Sequence, residues 1–404
     1  MYSLPSSLYI HLPWCLSKCP YCDFNSHVIS DHSQTERYVQ VLIDDLKIEA
    51  KKFHQANLKT IFIGGGTPSL FTPKEIEKIL KCVNHEFHID NNCEITMELN
   101  PGSLEHHSLK DYKIAGINRL SIGAQSFNTK SLSLLGRLHT PEDTISVYKK
   151  AKKAKFKSIN IDVMFGLPEQ SISMAKKDMS DAIKLMPHHI SYYQLTIEPN
   201  TKFFYQRPKN IPSPDLSYNI QEECFSLLAN SNYLRYEISA FSLAGYECKH
   251  NLNYWRFGDY IAVGAGAHGK YRPTRNKIMR YKKPANPKIY MSKSQNQKED
   301  DVDFELSKSD IIFEFMLNNL RLESGFTEHH FESMTGIKFN VIEKKIIKLK
   351  ERGLINYYSD TLWKPSALGF RFLDDMQREF LDCLLYTSDA ADEGLGVDLG
   401  GRRI

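Results

Sequence analysis

A chain of 404 residues, 41% hydrophobic and 25% charged, suits one large α/β unit carrying an appendage, with apolar side chains enough for a sizeable core. A net charge of +4 over that length argues against a nucleic-acid binder, and no apolar run approaches the ~18 residues of a membrane span. Met1-Tyr2-Ser3-Leu4-Pro5 has no basic segment ahead of a long apolar one, and the eight cysteines, three clustered and the rest scattered, fit a reducing compartment, so the expected location is cytoplasmic.

Along the first half, strand and helix alternate. Residues 8–11 read as a strand, 35–52 as an amphipathic helix and 59–63 as a short buried strand. Thr72-Pro73-Lys74-Glu75 carries a capping box with proline at the first helical position and opens a helix toward Asn84. Residues 94–99 alternate like a strand, 103–115 are helical with Gly116 as their stop, and 119–122 return as strand. Thr140-Pro141 starts another helix, and 158–163 and 189–195 are the next strands. Six such repeats predict a parallel sheet, whose ligands gather at the carboxyl ends of its strands. Gly64, Gly65, Gly66 and Thr67 follow the second strand, Glu98 and Asn100 end the third, Gln125 follows the fourth and Asp162 closes the fifth. Taken singly, Glu98 reads equally as a surface charge, Gln125 as a turn residue and Asp162 as a cap. Their shared rim favours a ligand that needs carboxylates and amides.

The cysteine cluster is Cys15-x-x-x-Cys19-x-x-Cys22. Three thiolates so spaced can hold three corners of a [4Fe-4S] cubane and leave the fourth iron open to a ligand that is not protein. The spacing also suits tetrahedral zinc, with His27 or His11 completing a Cys3His set. A zinc knuckle has no use for the run Gly64-Gly65-Gly66-Thr67-Pro68, where three glycines leave backbone amides and carbonyls open at the end of a buried strand.

Together these segments resemble the radical S-adenosylmethionine (SAM) superfamily. Tyr9-Ile10-His11-Leu12-Pro13-Trp14-Cys15 and Pro20-Tyr21-Cys22-Asp23-Phe24 are similar to its anaerobic coproporphyrinogen III oxidase-like group, and more closely to the HemW haem-chaperone branch, over about residues 8–381. The resemblance implies an α/β fold with a partial, open (β/α)6 barrel. It implies a [4Fe-4S] cluster on Cys15, Cys19 and Cys22, with SAM chelating the open iron through its methionine amino and carboxylate groups. Tyr9 and Gly65 would lie against SAM, with Gly64, Gly66 and Thr67 lining the methionine moiety and Glu98 taking amino or ribose groups. Gln125, Arg137 and Asp162 would share the pocket, while Tyr21 and Phe24 would flank the cluster. Gly136-Arg137 reads equally as a helix end. The chemistry such a site supports is reductive cleavage of SAM to a 5′-deoxyadenosyl radical, the cofactors carrying the hard step and the protein supplying geometry, and the sequence leaves open whether SAM is cleaved or only bound.

The substrate forks. Decarboxylating members of the group carry a fourth cysteine two residues after the third, where this chain has Phe24, and that departure marks the chaperone branch. His250-Asn251-Leu252-Asn253-Tyr254-Trp255 matches the HNxxYW signature of the same branch. An imidazole beside aromatic rings suits an axially ligated haem, with His250 or Cys248 as the ligand and Tyr254 and Trp255 as walls. The plain alternative makes Tyr254 and Trp255 core residues and His250 the partner of a buried carbonyl. The expected function is binding haem and transferring it to acceptor haemoproteins such as respiratory enzymes. The runner-up is an oxygen-independent coproporphyrinogen III oxidase, and a regulatory binding module is third. Homodimer formation and peripheral membrane contact are left open.

Residues 199–215 and 271–308 are polar or strongly charged and read as surface loops or linkers. Helical pattern resumes at 311–320, 327–335 and 339–351, and 353–358 with 361–363 form a hairpin, together a winged-helix-like domain. Lys344, Lys345, Lys348, Lys350 and Arg352 are candidates for DNA contact, but Glu343 and Glu351 interrupt the charge and a solvated face is the expected role. By resemblance this unit covers the active-site opening, as a lid or partner surface. The expected domains are a barrel core over 1–200, a barrel extension and linker over 201–308, and a C-terminal domain over 309–382. Residues 383–404 read as a translated sequencing adapter and form an expected artefact tail, and Cys82, Cys93 and Cys224 as thiols without a role.

Overall fold

The computed structural model describes residues 4–31, 33–103, 107–274, 277–292, 302–358 and 361–381. The tail set apart from residue 383 onward lies outside them. Six parallel strands form the centre of the molecule: β1 (Ser7–Leu12), β2 (Asn57–Gly65), β3 (His88–Leu99), β4 (Arg119–Gln125), β5 (Ser158–Phe165) and β6 (His189–Gln194). Each pairs with the next in the chain, so each return requires a crossover, and helices supply most of it. Strands covered on both faces have no wet side, which is why residues 60–65 of β2 are buried without alternation.

Local chemistry starts the crossover helices where the sequence reading placed them. Thr72 Oγ1 accepts from Glu75 N at 3.2 Å, Glu75 accepts from Thr72 N at 2.7 Å, and Pro73 opens the helix Pro73–Glu86. Thr140 and Asp143 repeat the arrangement ahead of Pro141–Lys153. The helix expected over 103–115 is shorter, Leu109–Ile114, because Pro101–Ser103 is a separate 3-10 turn and Ser108 is the true cap.

Three strands extend the sheet beyond the predicted six. β7 (Leu234–Glu237) and β8 (Ala240–Ser242) form an antiparallel hairpin on β6, and β9 (Ile261–Val263) lies parallel to β1. The order is β9-β1-β2-β3-β4-β5-β6-β8-β7, an open sheet whose end strand β7 bridges to the C-terminal unit through Glu237 and Leu322. A three-residue strand is too short to show a period, so only the fold reveals it.

The reading of 271–308 as linker is corrected. β10 (His268–Thr274), β11 (Lys277–Lys282) and β12 (Val302–Glu305) make an antiparallel meander. Its charge density misled because some of its charges are buried and paired: Arg272 meets Asp259 at 3.1 Å and Arg280 meets Glu314 at 2.7 Å.

The C-terminal unit packs helices Lys308–Asn319, Glu328–Thr335 and Glu343–Glu351 around Phe315, Phe331, Phe339 and Ile346, and closes with a three-stranded sheet containing the expected hairpin. Phe257 and Ile278 belong to the same core, so this unit is seated on the meander. On its basic helix, Lys348 and Arg352 are paired with Glu379 at 2.9 and 2.7 Å, consistent with a solvated face. Among the described residues no helix is long and apolar enough to cross a membrane.

Candidate metal and cofactor site

The cysteine loop leaves β1 directly. Trp14–Cys15 pairs in parallel with His27–Val28, pinching off the loop that holds Cys19 and Cys22, and Cys22 N donates to Cys19 O at 3.0 Å. All three cysteines line one cavity of about 640 Å³ at the carboxyl ends of the parallel strands, within the size range of small-molecule sites. Each sulfur meets a different polar side chain: Thr67 Oγ1 donates to Cys15 at 3.4 Å, Arg137 Nη1 to Cys19 at 3.7 Å, and Ser26 Oγ lies 3.6 Å from Cys22. Burial pushes the Cys15 thiol up to about 11 and raises that of Cys22, so metal binding must release protons. Of the imidazoles considered for a zinc set, His11 is already engaged at both nitrogens, by Tyr9 Oη at 3.0 Å and Asn25 O at 2.9 Å, and His27 Nε2 meets Asn25 Oδ1 at 3.1 Å.

The glycine run is laid against this loop. Gly66 N donates to Leu12 O at 2.8 Å and Thr67 N to Trp14 O at 2.7 Å. Gly65 has φ +118°, and a Cβ there would stand 2.6 Å from the His11 ring; one on Gly66 would stand 2.6 Å from Trp14 O. No side chain fits either position without displacing the loop. Gly65 and Gly66 line the cavity, whereas Gly64 stays one step inside β2, close to Glu98.

The predicted polar rim converges. Glu98, Gln125, Arg137 and Asp162 all line the cavity, with Tyr9, Tyr21, Phe24 and Thr67. Glu98 accepts from Gly65 N at 3.1 Å, and Asp162 accepts from Ser121 Oγ at 3.1 Å and Asn160 Nδ2 at 2.8 Å. Gln125 sits at φ +67° beside a register shift between β4 and β5, an unfavourable backbone for a non-glycine residue and one typical of functional sites. Its Oε1 accepts from Tyr193 Oη at 2.6 Å. Arg137 Nη2 donates to Gly123 O at 2.9 Å, which locks the guanidinium between rim and cysteine loop.

The expected haem residues divide. Tyr254 and Trp255 line the cavity, but His250 and Cys248 do not. His250 lies behind Phe62, with centroids 5.1 Å apart, and both its nitrogens are taken, by Thr60 Oγ1 at 2.8 Å and Tyr254 Oη at 2.9 Å. On the helix Lys249–Trp255 the residues at i and i+4 share a face, so His250 braces Tyr254. Burial pushes its pKa down to about 3. Cys248 is also buried away from the cavity, its sulfur 3.6 Å from Glu94 Oε1.

The wall also holds residues that no motif announced: Tyr193, Glu237, His268 and Arg321. Arg321 comes from the C-terminal unit, pairs with Glu237 at 2.9 Å and covers the Trp255 ring at 4.2 Å, so that unit forms part of the site. Three sulfurs, a side-chain-free cradle and two carboxylates line this one cavity and are of the donor types that a cluster and a cationic, zwitterionic ligand call for, while among the described residues no three His, Cys, Asp or Glu side chains are grouped as around a bound metal ion.

Comparison with known proteins agrees with this geometry. Residues 9–182 match the model of the radical SAM superfamily. The chain is 42% identical to the heme chaperone HemW of Haemophilus influenzae, over 93% of this chain and 98% of that protein, and 41% identical to HemW of Escherichia coli at the same coverage. Among solved structures, coproporphyrinogen III oxidase (HemN) of Escherichia coli superposes with a TM-score of 0.79 at 21% identity, covering 94% of this chain and 90% of that one, which establishes a common fold. At such identity over nearly the whole of both chains, with the three-cysteine loop and glycine run in place, this chain belongs to the HemW family of the radical SAM superfamily.

Proposed function

We propose that this chain carries a [4Fe-4S] cluster on Cys15, Cys19 and Cys22, binds SAM beside it, holds haem in the same cavity and passes the haem to acceptor haemoproteins such as respiratory enzymes. The observation that carries this reading is the make-up of one cavity, in which the three sulfurs and the glycine run share walls with the aromatic residues Tyr254, Trp255 and Tyr260. Kinship with proteins named heme chaperones supports haem as cargo. Phe24, 40% exposed on the cavity wall, agrees, since it occupies the place of the fourth cysteine of decarboxylating relatives.

When bound, the cluster and SAM supply one-electron and radical chemistry. The chain's own residues bind and orient. Glu98 and Asp162 offer carboxylates to cationic and hydroxyl groups, Gly65 and Gly66 admit a ligand against bare backbone, and Tyr21 and Phe24 limit access of water to the cysteine loop. Cytoplasmic placement is part of the same proposal.

Anaerobically reconstituted protein titrated with ferric haem should saturate stoichiometrically and then lose the haem spectrum to an added apo-haemoprotein. Given SAM, a strong reductant and coproporphyrinogen III, it should form no protoporphyrinogen. Product at catalytic yield would overturn the chaperone reading in favour of the oxidase.

A second expectation concerns Arg137. A hydrogen bond and positive charge at a cluster sulfur raise the cluster's potential, so Arg137→Gln should lower it by on the order of tens of millivolts. Potentiometry followed by electron paramagnetic resonance measures this, and an unchanged midpoint would remove Arg137 from that role.

A further inference from the structure

With His250 and Cys248 turned away from the cavity, an axial ligand for the haem has to come from the cavity wall itself. The three clustered cysteines are committed to the metal loop. His11 is hydrogen-bonded at both nitrogens. The phenols of Tyr254, Tyr260 and Tyr193 are bonded to His250, Arg280 and Gln125. His268 remains. It lines the cavity and is exposed within it, and neither ring nitrogen has a hydrogen-bond partner among the described residues.

Its backbone is held in place from the cysteine loop. Asn25 Nδ2, three residues past Cys22, donates to Ala265 O and to Ala285 O, each at 2.9 Å, and Gly266 at φ +76° leaves no room for a Cβ against Asn25. The turn that ends in His268 is therefore bolted to the loop that carries the cysteines. Across the meander His268 stands directly opposite Lys282, whose exposed side chain rises from the same face just outside the residues that line the cavity. An imidazole with a lysine beside it offers a nitrogen to a metal and a cation to a carboxylate, the two needs of a metalloporphyrin that bears propionates.

We propose that His268 is the axial ligand to the haem iron, an assignment that rests on the haem reading above. Desolvation, with the charges of Arg280 and Lys282, pushes the His268 pKa down to about 4, so the ring is neutral and its lone pair available at neutral pH.

The test uses the full chain with its cluster reconstituted and ferric haem as the probe. His268→Ala should shift the Soret band and weaken haem binding by at least on the order of tenfold, the smallest loss typical of disturbing a metal's surroundings. Added imidazole should restore the wild-type spectrum, and His268→Cys should convert it to a thiolate-ligated one. Iron content and circular dichroism report that each variant is folded. A wild-type protein that binds no haem stoichiometrically overturns the haem reading and this assignment with it. Wild-type binding with an unchanged spectrum in His268→Ala overturns the assignment alone.

Discussion

Replacing Cys19 with alanine is expected to yield a folded protein that keeps less than about one iron per chain after anaerobic reconstitution, against the roughly four of a complete cubane. Cys15, Cys19 and Cys22 are the cysteines on the cavity wall, and two thiolates with an open iron opposite do not retain a cubane. The loop lies outside the main core, which is built from strand and helix residues such as Ile10, Leu42, Ile61 and Ile161, so the fold should survive the change. Cys82→Ala is the matched control. That thiol sits 3.9 Å from Ile43 O, far along the chain from the loop, and should leave iron content unchanged. Iron determination with the visible absorption spectrum reads both variants. Full iron in Cys19→Ala would remove the three-cysteine assignment.

The second large effect is expected at Gly66. An alanine Cβ there meets Trp14 O at 2.6 Å and Pro13 O at 2.7 Å, and because both are backbone atoms neither can swing aside. The two hydrogen bonds that register this run against the cysteine loop, Gly66 to Leu12 and Thr67 to Trp14, would have to lengthen. A displacement approaching 1 Å in a positioning element commonly costs on the order of 100-fold. SAM affinity, measured by equilibrium dialysis on the cluster-loaded protein, should fall by about that factor while iron content holds. Unchanged affinity would show that the run does not cradle the methionine moiety. The neighbouring Gly65 carries a different constraint, since its φ of +118° disfavours any side chain whatever the space.

Much of the site was legible because its chemistry is local. The cysteines occupy one eight-residue loop, and the glycine run follows a strand whose burial was readable from its apolar run. The capping box at Thr72 and the Thr-Pro start at Thr140 open helices through contacts within four residues, so the sequence states those starts outright. The rim residues were found by a topological rule: parallel strands align their carboxyl ends, which brings Glu98, Gln125 and Asp162 onto one wall.

His250 shows where that reasoning stops. Its motif set the imidazole beside two aromatic residues, and the fold honours the neighbourhood but points the ring at Thr60 and Tyr254. Which face of a short helix looks inward depends on what packs against it, here β2, and that partner lies 190 positions away in the chain. The same limit hid Arg321, which reaches the cavity only because the C-terminal unit docks beside Glu237, and His268, whose place depends on Asn25 gripping a turn 240 positions distant. In the meander, charge was misread as exposure because Arg272 and Arg280 find their carboxylates only in the folded state.

The sequence by itself determined the six-stranded parallel centre and where the cysteine loop and the glycine run stand, since each is written in short-range spacing and hydrophobic period, and the resemblance that those motifs carry pointed to the superfamily. The tertiary structure decided the three flanking strands, the contribution of the C-terminal unit to the cavity, and which imidazoles line that cavity. Those depend on residues far apart in the chain meeting across the fold, and no local period encodes such a meeting.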